Sequence, residues 1–221
     1  MLLLSVDTSG RQGSIALAQG NSDGTCELVE MVPLEGGTFS AQLIPQVASL
    51  LAKHKFRKAD MGGLIAASGP GSFTGIRVGL AAIKALSEAT GKPIAAVSLL
   101  EAIALTGGKS GRVLAAMDAG RGEIYLGEYE VASSGATMIS EKLLTKAEFA
   151  DTAGDKWVVT TEKGIAEMAG AKGILIGYPG SDLIARLGWK KILAGEILSP
   201  EALEANYIRR TDAEIFAKFP S

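Results

Sequence analysis

Hydrophobic positions fall in two runs that echo one another. Leu2 to Ala18 alternates into a strand, a turn at Asp7-Thr-Ser-Gly-Arg-Gln-Gly13 and a second strand; Val113 to Tyr129 does the same around Asp118-Ala-Gly-Arg-Gly122. Each predicted β-hairpin opens its turn with aspartate and is followed by further β-like sequence, Cys26 to Val32 and Ala136 to Ser140, and then by helix. Between the two copies the spacing predicts a helix over Phe39 to Leu51, a buried strand at Leu64 to Ala67, a glycine-bearing helix running to Thr90, a short strand at Pro93 to Val97 and a helix from Ser98. After the second copy the pattern thins. Trp157 to Thr160 and Gly173 to Ile176 read as strands, and Ser181 to Leu187 and Pro200 to Ala205 read as helices. This is a duplicated α/β unit with an abbreviated second lobe. The most linker-like stretch, Thr106-Gly-Gly-Lys-Ser-Gly111, sets the expected lobes at 1–106 and 107–221, with the tail after about residue 200 free to return to the first lobe.

The densest local information lies in Ser68-Gly-Pro-Gly-Ser-Phe-Thr-Gly-Ile-Arg-Val-Gly-Leu-Ala-Ala-Ile-Lys84, a glycine-proline turn feeding a slim helix. Ser72 or Thr74 can cap that helix. Gly75 and Gly79 fall on one face, and each costs roughly 1 kcal/mol relative to alanine, so the stripe demands a closely packed backbone in return. Two candidates meet the demand: the helix's own sheet, or a helix of another subunit. A phosphate-binding role is disfavoured, because the P-loop lysine is missing and the dinucleotide fingerprint does not fit.

Composition narrows the chemistry. The 221 residues are 47% hydrophobic, enough for one large or two small cores, and 22 basic against 24 acidic residues give no global attraction to nucleic acid or an anionic membrane. A single cysteine, Cys26, leaves no disulfide framework, and the apolar run Met1 to Val6 stops at Asp7 without a basic leader, so a cytoplasmic location is expected. The sole histidine, His54, lies in Lys53-His-Lys-Phe-Arg-Lys58 among cations, which makes His/Cys metal sites and a catalytic dyad or triad implausible. That basic run suits a helix C-terminus; an RNA-facing patch is the other reading.

A duplicated hairpin with aspartate at each turn resembles the actin, sugar-kinase and heat-shock ATPase superfamily. Leu3-Leu-Ser-Val-Asp-Thr-Ser9, Gly69-Pro-Gly-Ser-Phe-Thr-Gly-Ile-Arg-Val-Gly79, Met117-Asp-Ala-Gly-Arg-Gly-Glu-Ile-Tyr125 and Asn206-Tyr-Ile-Arg209 are similar to the bacterial YeaZ family, now called TsaB. The resemblance implies an α/β, two-lobed actin-like ATPase (ASKHA, ribonuclease H-like) fold of duplicated βββαβα units. It also implies a part in tRNA processing: the installation of threonylcarbamoyl on the adenosine next to the anticodon. In that family the protein is not the transferase. It pairs with a catalytic paralogue, TsaD, and supports assembly with a small ATPase, TsaE. ATP and metal belong to those partners, tRNA is met through the complex, and the subunit alone forms a homodimer through helices of its first lobe.

On this resemblance no residue is catalytic and none binds metal. The stretch corresponding to the paralogue's metal-binding helix, Thr38-Phe-Ser-Ala-Gln-Leu-Ile-Pro45, has no histidine, and Phe39 stands where many relatives keep one. Gly177-Tyr-Pro-Gly-Ser181 replaces the compact double-glycine turn that closes on adenosine elsewhere in the superfamily. The expected partner interface comprises Ala41, Ile44, Pro45 and Ala48 on the first helix, with Pro70, Gly71, Ser72, Phe73, Thr74, Gly75, Arg77 and Gly79 on the loop and second helix. Asp7, Thr8, Ser9 and Asp118 are vestigial nucleotide-loop positions, the aspartates shaping their own turns in preference to positioning a metal or water. Tyr207, Arg209 and Arg210 form a small aromatic-basic cluster. Two enzyme readings remain as alternatives: a small ATPase or kinase using the inter-lobe cleft, and a glycoprotease-like metalloenzyme.

Overall fold

Strand β1 (Leu2–Asp7) is buried along its whole length, its polar Ser5 and Asp7 included, so the centre of the first sheet is covered on both faces. The computed structural model describes residues 1–208, so Arg209 and Arg210 lie outside the described residues. β1 pairs antiparallel with β2 (Gly13–Gly20), which pairs with β3 (Cys26–Leu34). On its other side β1 runs parallel to β4 (Met61–Gly69), which pairs with β5 (Ile94–Ser98), giving the order β3-β2-β1-β4-β5. Parallel neighbours need crossovers, and α1 (Phe39–Lys53) and α2 (Phe73–Thr90) supply them. Leu2, Leu4 and Val6 point to one face of β1, where Leu43, Val47 and Leu50 of α1 and Ile76, Leu80 and Ile83 of α2 complete the core.

The second sheet repeats this plan in the order β10-β9-β6-β7-β8. Its members are β6 (Gly111–Gly120), β7 (Glu123–Ala132), β8 (Gly135–Thr145), β9 (Trp157–Thr160) and β10 (Gly173–Leu175), preceded by α3 (Leu99–Thr106). The crossovers are α4 (Lys146–Ala153) and α5 (Lys163–Met168), whose Phe149, Ala153 and Ile165 pack on Leu114, Ile124, Leu126 and Val158. Both sheets hold five strands, so the abbreviation lies in the helices: 8 and 6 residues for α4 and α5, against 15 and 18 for α1 and α2.

The chain divides into two compact units, residues 1–102 with 178–205, and residues 103–177 with the described residues from Asn206. The division thus falls slightly before the glycine-rich linker, and α6 (Ser181–Leu193) folds with the first unit, although the 107–221 division assigns it to the second lobe. Side chains explain its allegiance: Ser181 exchanges hydrogen bonds with Ser14 (2.6–3.0 Å), and the Trp189 indole donates to the Asn21 carbonyl at 3.1 Å. The predicted helix at Pro200 to Ala205 is absent; the segment is a turn followed by irregular chain. Leu198 bridges to Ile94 and Leu203 is buried in the first core, contacts that a six-residue helix pattern read from sequence does not anticipate. Among the described residues no helix is long and apolar enough to cross a membrane.

Candidate protein-interaction surface

Helices α1 and α2 pack against one another on one face of the first sheet, so their outer sides lie next to each other. In α1 the buried residues Phe39, Leu43, Val47, Leu50 and Leu51 follow helical spacing, and the opposite side exposes Ala41, Ile44, Pro45 and Ala48. Ile44 is 49% exposed. Pro45 lacks an amide, which leaves the Ala41 carbonyl without its usual intrahelical donor on that same exposed side. In α2 the outer side carries Phe73, 43% exposed, with Thr74 and Arg77, and the Arg77 guanidinium lies 3.7 Å from the Phe73 ring centroid. One helical turn separates Phe73 and Arg77, a spacing readable in sequence although the stack itself was not anticipated.

The glycine stripe faces the other way. A Cβ on Gly75 would stand 2.1 Å from the Thr8 carbonyl oxygen, and one on Gly79 would stand 2.4 Å from Thr8 Oγ1. Both glycines are buried. The close approach they permit is to the end of β1 in the same unit, so Gly75 and Gly79 are corrected from interface residues to packing residues. Thr8 Oγ1 donates to the Gly75 carbonyl at 2.7 Å, and the Ser72 amide donates to the Ser9 carbonyl at 2.7 Å. Ser72 is the helix cap, accepting from the Gly75 amide at 3.2 Å. Pro70 is buried as well, and Gly71 is half-buried with its missing Cβ replaced by the Ser9 carbonyl, 2.3 Å away. Of the expected interface residues, Ala41, Ile44, Pro45, Ala48, Ser72, Phe73, Thr74 and Arg77 are exposed.

Beneath the loop, Asp7 is buried and its Oδ1 accepts from the Ser9 amide at 2.8 Å and the Ser9 hydroxyl at 2.5 Å. Because that hydroxyl donates to Asp7, Tyr178 is the donor in its 3.0 Å hydrogen bond with Ser9 Oγ. The Tyr178 ring also covers Gly10. Burial pushes the Asp7 carboxyl above its ordinary range, against the pull of the two Ser9 hydrogen bonds. Asp118, in the other unit, is exposed and accepts from the Gly120 amide at 3.1 Å. Each aspartate therefore closes its own turn. Phe39 is buried against the hairpin near Gly13 and is no part of the exposed surface. At the far end of α1, Glu30 of β3 accepts from Lys53 (2.6 Å) and His54 (2.7 Å), which ties the basic run to the sheet. Among the described residues no three His, Cys, Asp or Glu side chains gather into a set that could hold a metal ion.

Comparison with known proteins adds a family to this geometry. Residues 35–171 match the model of the family described as TsaD, tRNA N6-adenosine threonylcarbamoyltransferase. The tRNA threonylcarbamoyladenosine biosynthesis protein TsaB of Bacillus subtilis is 34% identical over 131 residues, covering 59% of this chain and 56% of the relative. TsaB of Escherichia coli is 34% identical over 134 residues, covering 59% and 55%. The chain thus matches about half the length of these curated relatives. Among solved structures, YeaZ from Pseudomonas aeruginosa superposes with a TM-score of 0.74 at 25% identity, covering 92% of this chain and 98% of that one. A second Pseudomonas aeruginosa structure, described as similar to peptidase YeaZ, gives 0.77 at 25% identity with 94% and 99% coverage.

Two outcomes follow from the packing at β1. Gly79→Leu drives a side chain into Thr8 and is expected to destabilise the unit by about 1–3 kcal/mol in urea denaturation; an unchanged midpoint would contradict the close approach. For Asp7, the folded-state pKa lies above the unfolded one, so folding takes up a proton between the two values and stability falls as pH rises through that window. Relative to Asp7→Asn, the wild-type chain is therefore expected to lose stability as pH rises above about 4, by at most about 1.4 kcal/mol per pH unit. A pH-independent difference between the two proteins would refute the buried, proton-retaining carboxyl.

Proposed function

Because the chain belongs to the family of tRNA N6-adenosine threonylcarbamoyltransferase (TsaD), in its TsaB/YeaZ branch, we propose that it is a non-catalytic partner subunit in tRNA threonylcarbamoyladenosine biosynthesis. It binds a TsaD-like catalytic paralogue through the outer sides of α1 and α2. The observation that carries this reading is the apolar exposed side of α1, Ala41, Ile44, Pro45 and Ala48, lying beside the Phe73–Arg77 stack. Apolar side chains gain when a partner removes them from water, at about 25 cal/mol per Å² of buried surface. A guanidinium already held against an aromatic ring loses little freedom on docking, and aromatic residues and arginine are the side chains enriched at interface centres. The assignment of Asp7 to its own turn, under a loop closed by Thr8, Ser9 and Ser72, supports a subunit that lends surface to the reaction.

The remaining parts of the reading follow from the same role. The paralogue performs threonylcarbamoyl transfer with its own metal, a TsaE-like ATPase joins the assembly, and the complex works in the cytoplasm on tRNA. Without the paralogue, the same helices pair two copies of this chain.

Ile44→Asp combined with Ala48→Asp places two carboxylates on the exposed side of α1 while leaving its buried side intact. This variant is expected to keep the wild-type unfolding midpoint and to lose at least tenfold in affinity for the TsaD-like paralogue, about 1.4 kcal/mol, with a matching fall in modified nucleoside in a reconstituted reaction. Undiminished co-purification with the paralogue would overturn the assignment.

A further inference from the structure

In the second unit the strands β6, β9 and β10 are parallel neighbours, with Val113 paired to Trp157 and Val158 paired to Gly173. Their entry ends therefore lie side by side, separated by the strand spacing of about 4.8 Å. Each entry carries a cation: Lys109 and Arg112 at β6, Lys156 at β9 and Lys172 at β10. Two of these converge on one aromatic ring, Lys109 Nζ at 4.0 Å and Lys172 Nζ at 4.5 Å from the Trp157 centroid. Arg112 and Lys156 reach the largely buried Glu128, at 3.8 and 3.4 Å, and Lys172 lies 3.7 Å from the exposed Asp155. Glu130 is the cross-strand neighbour of Arg112. Lys109 has the indole as its contact and no carboxylate among these three within ion-pair distance. Lys109 and Lys172 are half-buried on the aromatic ring, and the four cations Lys109, Arg112, Lys156 and Lys172 outnumber the three carboxylates Glu128, Glu130 and Asp155 by one, in a chain whose formal net charge is −2.

We infer that Trp157 with Lys109 and Lys172 forms a contact point for the phosphate backbone of RNA, reached when the complex engages tRNA; this rests on the functional reading above. Lysines and arginines on phosphates fix the position of a nucleic acid without reading its sequence, and RNA helices are met largely through shape and backbone. An ammonium resting on an indole is attracted to the ring and still has donors to offer. The site would add to the paralogue's hold on tRNA and leave chemistry to it.

The test uses the full chain in complex with its TsaD-like paralogue, and tRNA titrated by fluorescence anisotropy at several salt concentrations. Lys109→Gln with Lys172→Gln is the informative variant, because Arg112 and Lys156 stay in place to accompany Glu128. It is expected to weaken tRNA binding about three- to tenfold near 0.1 M salt and to reduce the slope of log K against log salt by about 1–2. Lys109→Arg with Lys172→Arg is expected to stay within about twofold of wild type, since the charges and the ring contacts are retained. An unchanged affinity and slope in the glutamine variant would overturn the inference while leaving subunit pairing untouched. So would loss of paralogue binding in that variant, which would make the cluster a protein contact. If the wild-type chain fails to pair with the paralogue, the functional reading falls, and the contact is then judged by the same titration on the chain alone.

Discussion

The first unit is organised by the approach of α2 to the end of β1. Where a helix N-terminus meets a strand end at backbone distance, no Cβ fits, and Gly75 and Gly79 remove the two that would collide with Thr8. Three hydrogen bonds then fix the junction: Thr8 to the Gly75 carbonyl, Ser72 to the Ser9 carbonyl, and Gly75 to the Ser72 hydroxyl. The loop in between seals Asp7 from water, and the carboxyl turns to the nearest donors, both on Ser9. In a low-dielectric site an unpaired carboxylate is costly, so these bonds and a raised proton affinity are the consequences of the same closure.

With its slim side spent on β1, α2 turns Phe73, Thr74 and Arg77 outward, and α1 beside it does the same with Ala41, Ile44, Pro45 and Ala48. Small side chains on α1 allow another backbone to come close, whereas Ile44 and Phe73 offer bulk to bury. The surface is thus a by-product of how the core is satisfied. Helical spacing puts Leu43, Val47, Leu50, Ile76, Leu80 and Ile83 against the sheet and leaves Ala41, Ile44, Pro45, Ala48 and Phe73 outside.

Much of this was legible in the sequence. Alternation located both hairpins, and the period of the apolar residues located α1 and α2. The outer side of α1 then follows from subtraction of its buried stripe. The glycine stripe of α2 was ambiguous for a physical reason: Gly75 and Gly79 answer equally to a partner helix and to the strand beneath, and only the position of Thr8 decides. A helix after the second β-like stretch follows from the repeat, but neither the bounds of α4 nor the position of α5 does, because 8 and 6 residues hold too few turns to show a period; the capping box of Thr145 with Glu148 marks the start of α4. The allegiance of α6 escaped because it depends on Ser14 and Asn21, more than 160 residues away in the chain. The Trp157 cluster joins residues from three strand entries, which no local pattern connects.

The central claim is that the outer sides of α1 and α2 are covered when the catalytic paralogue binds. Hydroxyl-radical footprinting of the chain with and without saturating paralogue measures this side chain by side chain. The account predicts that Ile44 and Phe73, exposed in the free chain, lose most of their labelling in the complex. Full labelling of Ile44 and Phe73 in the saturated complex would contradict it.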